Sequence, residues 1–327
     1  MKPDIELFRG ILSIDSTSGS ERAIAEILHR RLEAPRKTLM EVGDGMLNLL
    51  LEWGTPRVVF CTHMDTVPPY IPPRLDGEMV HGRGACDAKG QILALYTACK
   101  ELEAAGESGF ALLLLSGEET GSWGAKAFAK TDFRAPYLVI GEPTENRMVS
   151  ASKGTKSFDL KFTGEAFHSG YPEFGRSAVD MFVDFVNTLR AHNFCVDPVL
   201  GATTWNVGLL RSDNPQNVLS PELTCRIYFR TTFISDAAVT EYMAGLGPGI
   251  EVTPRGGDAP AEYLTVGGIP SAPASFGSDA PHLSNFAHKA IIGPGSIRTA
   301  HRDDECVSLR DIETAVENCI RIFHSLA

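Results

Sequence analysis

Arg57-Val58-Val59-Phe60-Cys61-Thr62-His63-Met64-Asp65 sets the architecture of this chain. Three bulky apolar residues and a cysteine follow one another, a short β-rich run that reads as a strand. The run ends on His63-x-Asp65, two polar side chains that extended backbone points to the same side. Strands of this kind build parallel α/β sheets whose ligand sites gather at the strands' carboxyl ends.

The pattern repeats on either side. Helical spacing marks Asp4–Ile14 and Ser20–Leu32 before the run, and Lys89–Ala105 after it, where Ile92, Leu95, Tyr96, Cys99 and Leu102 predict one apolar face. Phe110–Leu115 reads as a second buried strand, Ser122–Lys130 as a helix and Tyr137–Ile140 as a third strand. This βαβ rhythm predicts a largely parallel sheet covered by helices. The middle of the chain differs: Phe158, Leu160 and Phe162 alternate within Lys156–Thr163, as in a half-exposed strand. Helices at Ser177–Ala191 and Asp236–Leu246 flank strands near Thr203–Leu209 and Leu223–Thr231, and a Gly/Pro-rich exit is expected at Pro248-Gly249 and Pro254–Pro260. Lys289–Ile292 adds a buried strand, and a helix over Leu309–Leu326, capped by Ser308 and Asp311, closes the chain. The expected fold is α/β: a mixed, mainly parallel sheet with helices on both faces, interrupted by a smaller α+β unit. Residues 1–151 and 260–327 form the discontinuous larger domain and 152–259 the insert.

Composition bounds the function. At about 150 residues per domain, 327 residues predict two domains. With 30 Lys+Arg against 41 Asp+Glu the net charge is −11, without the basic footprint that nucleic acid requires. Phe110–Leu115, the longest plainly apolar run, falls far short of the ~20 residues of a membrane span. The stretch Met1–Glu6 carries two carboxylates where a signal peptide needs an apolar core, and the seven cysteines form no C-x-x-C pair. A cytoplasmic protein with free thiols is expected.

The polar residues collect at strand ends. His63 and Asp65 follow one strand, Glu118-Glu119 another, Glu142 a third, and His301 lies in the loop after Ile292. Asp87 joins them from the Gly-rich loop Gly82–Gly90. Asp65 is placed to accept from the His63 imidazole N–H that faces away from a metal, fixing the ring's direction. Glu118 and Glu119, as neighbours, are expected to point apart, one to a metal and one to substrate. Imidazole and carboxylate donors without thiolate suit Zn²⁺ or Co²⁺ in an open catalytic site. Each element alone has an ordinary explanation: a lone His at a strand end is more often structural, and Glu-Glu is more often a solvated turn. Cys61 and Cys86 are read as packing residues.

Taken in order, the segments resemble one family of co-catalytic zinc amidohydrolases and peptidases. It comprises acetylornithine deacetylase, succinyl-diaminopimelate desuccinylase, aminoacylase and the glutamate carboxypeptidases. The resemblance rests on Thr62-His63-Met64-Asp65-Thr66-Val67-Pro68, Gly82–Gly90, Ser116-Gly117-Glu118-Glu119-Thr120-Gly121 and Gly141-Glu142-Pro143-Thr144. Phe167-His168-Ser169-Gly170, Asn217–Pro221, Gly277-Ser278-Asp279 and the Gly293–His301 segment extend it over nearly the whole chain.

The resemblance implies a zinc-peptidase-like fold and two divalent metal ions, Zn²⁺ first and Co²⁺ second. Asp87 would bridge them, with His63 and Glu142 on one and Glu119 and His301 on the other. Glu118 would be the general base, Asp65 and His168 would assist catalysis, and the Asp87–Ala88 peptide would be cis. Asn217, Arg230, Gly277 and Ser278 match substrate-contacting positions, Arg230 being the candidate for a carboxylate. The insert would be a ferredoxin-like lid and the surface of a homodimer, across which His168 acts. The implied reaction is hydrolysis of an N-acyl amino acid. N-acetylornithine or a close analogue such as N-acetylcitrulline comes first, and an N-succinyl amino acid or a di- or tripeptide is the alternative. Tyr228 departs from the family pattern, standing where many members place Asp.

Overall fold

The computed structural model describes residues 3–43 and 45–326; Met1 and Lys2 of the N-terminal stretch, Asp44 and Ala327 lie outside them. In chain order the elements begin with α1 (Ile5–Leu12), α2 (Arg22–Arg31), β1 (Arg36–Gly43), β2 (Met46–Trp53), β3 (Val58–His63), β4 (Arg74–Asp76) and β5 (Met79–His81). They continue with α3 (Lys89–Ala104), β6 (Phe110–Leu115), α4 (Trp123–Phe128), β7 (Ala135–Ile140), β8 (Met148–Ser152) and β9 (Gly154–Thr163). Then come α5 (Ala178–Ala191), β10 (Thr204–Arg211), β11 (Glu222–Thr231), α6 (Ser235–Ala244), β12 (Ile250–Gly256), β13 (Ala261–Glu262), β14 (Ser271–Ala274), β15 (Phe286–Ile291), β16 (Cys306–Ser308) and α7 (Leu309–Ser325).

Two compact units emerge. The first comprises Met1–Ser150, Tyr263–Ala272 and Ser278–Ala327, the second Ala151–Glu262 and Pro273–Gly277. Sequence reading drew residues 260–327 as one continuous return, but Pro273–Gly277 belongs with the second unit. The reason is local: Lys153 N donates to Ala274 O at 3.1 Å, within the ordinary range for a backbone bond.

The first unit is built on a six-stranded sheet of order β1-β2-β6-β3-β7-β15. β6, β3, β7 and β15 run parallel, with Val58 opposite both Phe110 and Tyr137, while β1 and β2 form an antiparallel extension. Every residue of β3 and β6 is buried, as their unbroken apolar runs require. The sheet is mixed, not parallel throughout. The β1–β2 hairpin escaped sequence reading because Met46–Trp53 is Leu-rich, without the β-branched residues that mark a strand. The Asp44-Gly45 dipeptide, a hairpin signal, was the clue.

Helix α3 differs from its expected amphipathic form. Ile92, Leu95, Cys99 and Leu102 are buried, but so are Gln91, Leu93, Ala94, Thr97 and Ala98. It is an inner helix, sharing one core with Phe8 and Ile11 of α1 and with Ile312, Val316 and Phe323 of α7. Small residues at Ala94 and Ala98 let it be covered on nearly every side. α7 begins at a Ser308 cap whose hydroxyl accepts from Arg310 N and Asp311 N. None of the described helices is long and apolar enough to cross a membrane.

The second unit is an antiparallel sheet of order β12-β9-β11-β10 with the chain order β9-α5-β10-β11-α6-β12. This is a ferredoxin-like βαββαβ arrangement. Phe158, Leu160 and Phe162 point into its core with Phe185 and Leu189 of α5, Ile227 and Phe229 of β11 and Val239 of α6. The expected Pro254–Pro260 exit overlaps strand β12, which extends to Gly256. Pro254 is accommodated because β12 lies at the sheet edge, where a missing N–H costs no ladder bond.

Candidate active site

β3 ends on His63, β6 runs into the Gly117–Gly121 turn, and β7 runs into Gly141-Glu142. Their common direction brings the three ends to one edge of the sheet. The loop before α3 supplies Asp87, and the segment after β15 supplies His301, whose φ of +64° turns the chain sharply.

Three overlapping donor groups result, each with its ligand atoms within 4.8 Å of one another. They are His63–Asp87–Glu142, Asp87–Glu119–His301 and His63–Glu118–Glu119. Asp87 lies at the centre: its Oδ1 is 3.0 Å from His63 Nε2 and its Oδ2 is 3.3 Å from His301 Nε2. His301 Nε2 is also 2.7 Å from Glu119 Oε1. The Asp87–Ala88 peptide is cis. Glu118 and Glu119 do not diverge as the strand rule predicted. They lie in a turn, where Gly117 has φ +70° and Gly121 N donates to Glu118 O, so both carboxylates reach the same cluster.

Asp65 is fully buried and does more than orient an imidazole. His63 Nδ1 lies 3.0 Å from the Asp65 carbonyl oxygen and 3.3 Å from its Oδ1. The same carboxylate accepts from Glu118 N at 3.0 Å, Glu119 N at 3.1 Å and Ser18 Oγ at 2.8 Å. One side chain thus fixes His63 and both carboxylate-bearing backbones. Glu21 supports the turn from below, accepting from Gly117 N and Gly19 N, each at 2.9 Å. Sequence reading missed Glu21, whose place beside α2 reads as an ordinary helix-start acid.

The electrostatics follow from crowding carboxylates into a buried site. Burial, reinforced by the charges of Asp279, Glu119 and Asp87, holds the Glu118 carboxyl well above its usual range. Burial with Asp87 and Glu118 does the same to Glu142. Burial, opposed by His63, leaves Asp279 at about 6, with its Oδ1 unpartnered among the described residues. Hydrogen bonds to Asp87 and Glu119 push His301 up to about 10. Burial alone would lower His63, but Asp65 and Asp87 outweigh it and raise it. Cys61 and Cys86 are buried with thiols pushed up by desolvation, and neither belongs to a donor group.

The remaining expected residues are held elsewhere. Ser278 is in the first unit, its Oγ accepting from Ala280 N at 3.3 Å. His168, Asn217, Arg230 and Gly277 belong to the second unit. There, Ser169 N donates to Asn217 O at 3.0 Å, joining the loops of His168 and Asn217. Gly170 N donates to His168 Nδ1 at 3.0 Å, which selects the tautomer with the proton on the exposed Nε2. The Arg230 guanidinium sits 5.0 Å from the ring centre of Tyr228, and Gly277 lies against Arg230 Nη1. Tyr228, the departure noted above, therefore supports the arginine by a cation–π contact.

Known proteins resemble this chain along most of its length. The model described as Peptidase family M20/M25/M40 matches residues 59–326. A peptidase M20 domain-containing protein of Schizosaccharomyces pombe is 30% identical over 331 residues, covering 94% of this chain and 81% of that protein. A probable carboxypeptidase of Aspergillus clavatus is 28% identical, covering 96% of this chain and 86% of its own. Among solved structures, a tripeptidase from Staphylococcus aureus has a TM-score of 0.79 at 18% identity, covering 98% of this chain and 97% of its own. An M20 family metallo-carboxypeptidase from Sulfolobus solfataricus has a TM-score of 0.75 at 16% identity, covering 100% and 99%. These two similarities describe the fold.

Proposed function

The chain belongs to the hydrolases of peptidase family M20/M25/M40, and from that premise we propose that it cleaves the amide bond of small peptides or N-acyl amino acids that end in a free carboxylate. The observation that carries this reading is the Asp87 carboxylate, which offers one oxygen toward His63 and the other toward His301. That is the disposition of a ligand shared by two cations.

The donor set fits such ions. Two imidazoles and several carboxylates, without thiolate, suit Zn²⁺ first and Co²⁺ second. His63, Asp87 and Glu142 would hold one ion and Asp87, Glu119 and His301 the other. The carboxyls of Glu118 and Glu142, raised by burial and mutual repulsion, mark a site short of positive charge. When bound, the ions supply Lewis acidity, polarising the amide carbonyl and lowering the pKa of a water to about 7.

This chain's own groups do the rest. Glu118 takes the proton of the attacking water and returns it to the departing amine, a relay worth ~10²–10⁴-fold. Asp65 keeps the Glu118 backbone and the His63 ring in place. The outward Nε2–H of His168 is suited to donate to the carbonyl oxygen as negative charge develops there. Arg230 pairs with the substrate's terminal carboxylate, and Asn217, Gly277 and Ser278 are further candidate substrate contacts. The second unit serves as the lid and the surface of a homodimer in which His168 serves the partner's site. Light scattering that finds a fully active monomer contradicts that last role. Seven unpaired cysteines support a reducing, cytoplasmic setting.

Within this substrate class the relatives' names move the first choice to peptides cleaved at the carboxyl end. N-acetylornithine is the second reading, resting on the resemblance of the Gly293–Glu305 segment to the deacetylases. A panel of dipeptides, tripeptides, N-acetylornithine, N-acetylcitrulline and N-succinyl amino acids separates the two. Preference for a dipeptide by kcat/KM supports the first reading; preference for N-acetylornithine supports the second. No hydrolysis of any member refutes both.

A further inference from the structure

The mechanism leaves one buried ion pair unused. Arg83 Nη1 is 2.7 Å from Glu305 Oε2, and both side chains are almost wholly buried, at 2% and 0% exposure. Desolvation offsets much of the attraction in such a pair, so net stabilisation alone is a weak account of it. The other contacts of the two side chains supply one.

Glu305 Oε1 accepts from Cys86 N and Asp87 N, both at 3.0 Å. It therefore grips the backbone of the residue that lies between the two imidazoles. Arg83 Nη1 also donates to Arg302 O at 3.0 Å, and Arg83 Nε to Pro69 O at 3.2 Å. Gly82 N donates to Glu305 O at 3.0 Å. Together these bonds fasten the 301–305 segment, which carries His301, to the 82–87 loop, which carries Asp87. The His301 side chain is 47% exposed, against 2% for His63, and its ring meets only the carboxylates of Glu119 and Asp87 among the contacts described above. His63 and Glu142 are fixed independently, at the ends of two paired strands.

We propose that Arg83 and Glu305 are positioning residues for the second cation, setting the distance from His301 to the shared ligand Asp87, while His63 and Glu142, which belong to the first cation alone, stay with the sheet. The inference rests on the two-cation reading above. Outer groups that orient ligands typically contribute 10–100-fold to metal affinity. Here that loss should fall on one of two sites.

Binding of Co²⁺ alone to metal-free protein, followed by calorimetry and visible absorption, tests this. His301→Ala serves as the reference lacking the second position. In Glu305→Gln the step that His301→Ala abolishes should lose about 10–100-fold in affinity while the other matches the wild type. Because this variant leaves Arg83 unpaired, Arg83→Met/Glu305→Gln, which removes both charges, is measured beside it with the melting temperature of each metal-free protein. The double variant should show the same selective loss. Two unaltered steps overturn the proposal, as does equal weakening of both, which general loosening would cause. Failure of both variants to fold assigns the pair to the fold instead and also overturns it. Wild-type protein that binds fewer than two Co²⁺ refutes the two-cation reading itself, a result distinguishable from any of these.

Discussion

At the scale of single residues, Glu118 and Arg230 carry separable tasks. Glu118→Gln keeps the size of the side chain and removes its basicity, so kcat should fall by ~10²–10⁴-fold while bound metal, measured by elemental analysis, stays at the wild-type level. Retained turnover would refute the proton-transfer role. Arg230→Ala should instead raise KM for substrates with a free terminal carboxylate, by about 10–100-fold for a lost charge-assisted bond of ~1.5–3 kcal/mol. Substrates whose carboxylate is amidated should be nearly indifferent to the change. Equal losses on both would show that Arg230 acts through the structure of β11 and its Tyr228 support, not through substrate charge.

At the scale of elements, strand ends and turns fix the site, and their supports are testable. Glu21 holds the Gly117–Gly121 turn, and burial pushes its carboxyl up to about 7, with the Asp65 charge adding to the effect. Between about pH 4.5 and 7 the folded protein therefore keeps a proton that the unfolded chain has released. Folding stability from this group falls as pH rises through that window. Glu21→Gln lacks the term, so its stability relative to wild type should improve from pH 5 to 8 in urea unfolding; a constant difference contradicts the assignment. β6 is the central support of the sheet: Leu114, fully buried, faces Leu49 on one side and Thr62 on the other. Leu114→Ala should cost about 2–5 kcal/mol by the same measurement. Elements whose residues obey one dominant signal were legible in the sequence. Phe110–Leu115 matches its strand residue for residue because an unbroken apolar run has no competing reading. Met46–Trp53 was missed because leucines serve helix and strand alike until a partner strand is known. α3 was recognised as a helix but assigned one apolar face, since Ala94, Thr97 and Ala98 are small enough to read as either surface or core.

At the scale of the whole molecule, the donor groups join residues as distant in sequence as His63 and His301, and motif order made that constellation legible before any geometry. Distances and orientations were not. The convergence of Glu118 with Glu119 depends on a glycine turn, and the Arg83–Glu305 pair joins positions 222 apart. Arg83 stood inside the Gly82–Gly90 loop and Glu305 four residues past His301, but no local pattern announces a partner so remote. The central claim is that the Asp87-centred cluster is a two-cation amide hydrolase centre. Its most direct test is hydrolysis of a dipeptide and N-acyl amino acid panel by purified protein before chelation, after chelation and after stepwise return of Zn²⁺ or Co²⁺. The account predicts that activity disappears with the metal and returns in full as two equivalents bind. Undiminished hydrolysis by protein shown to be metal-free would contradict it.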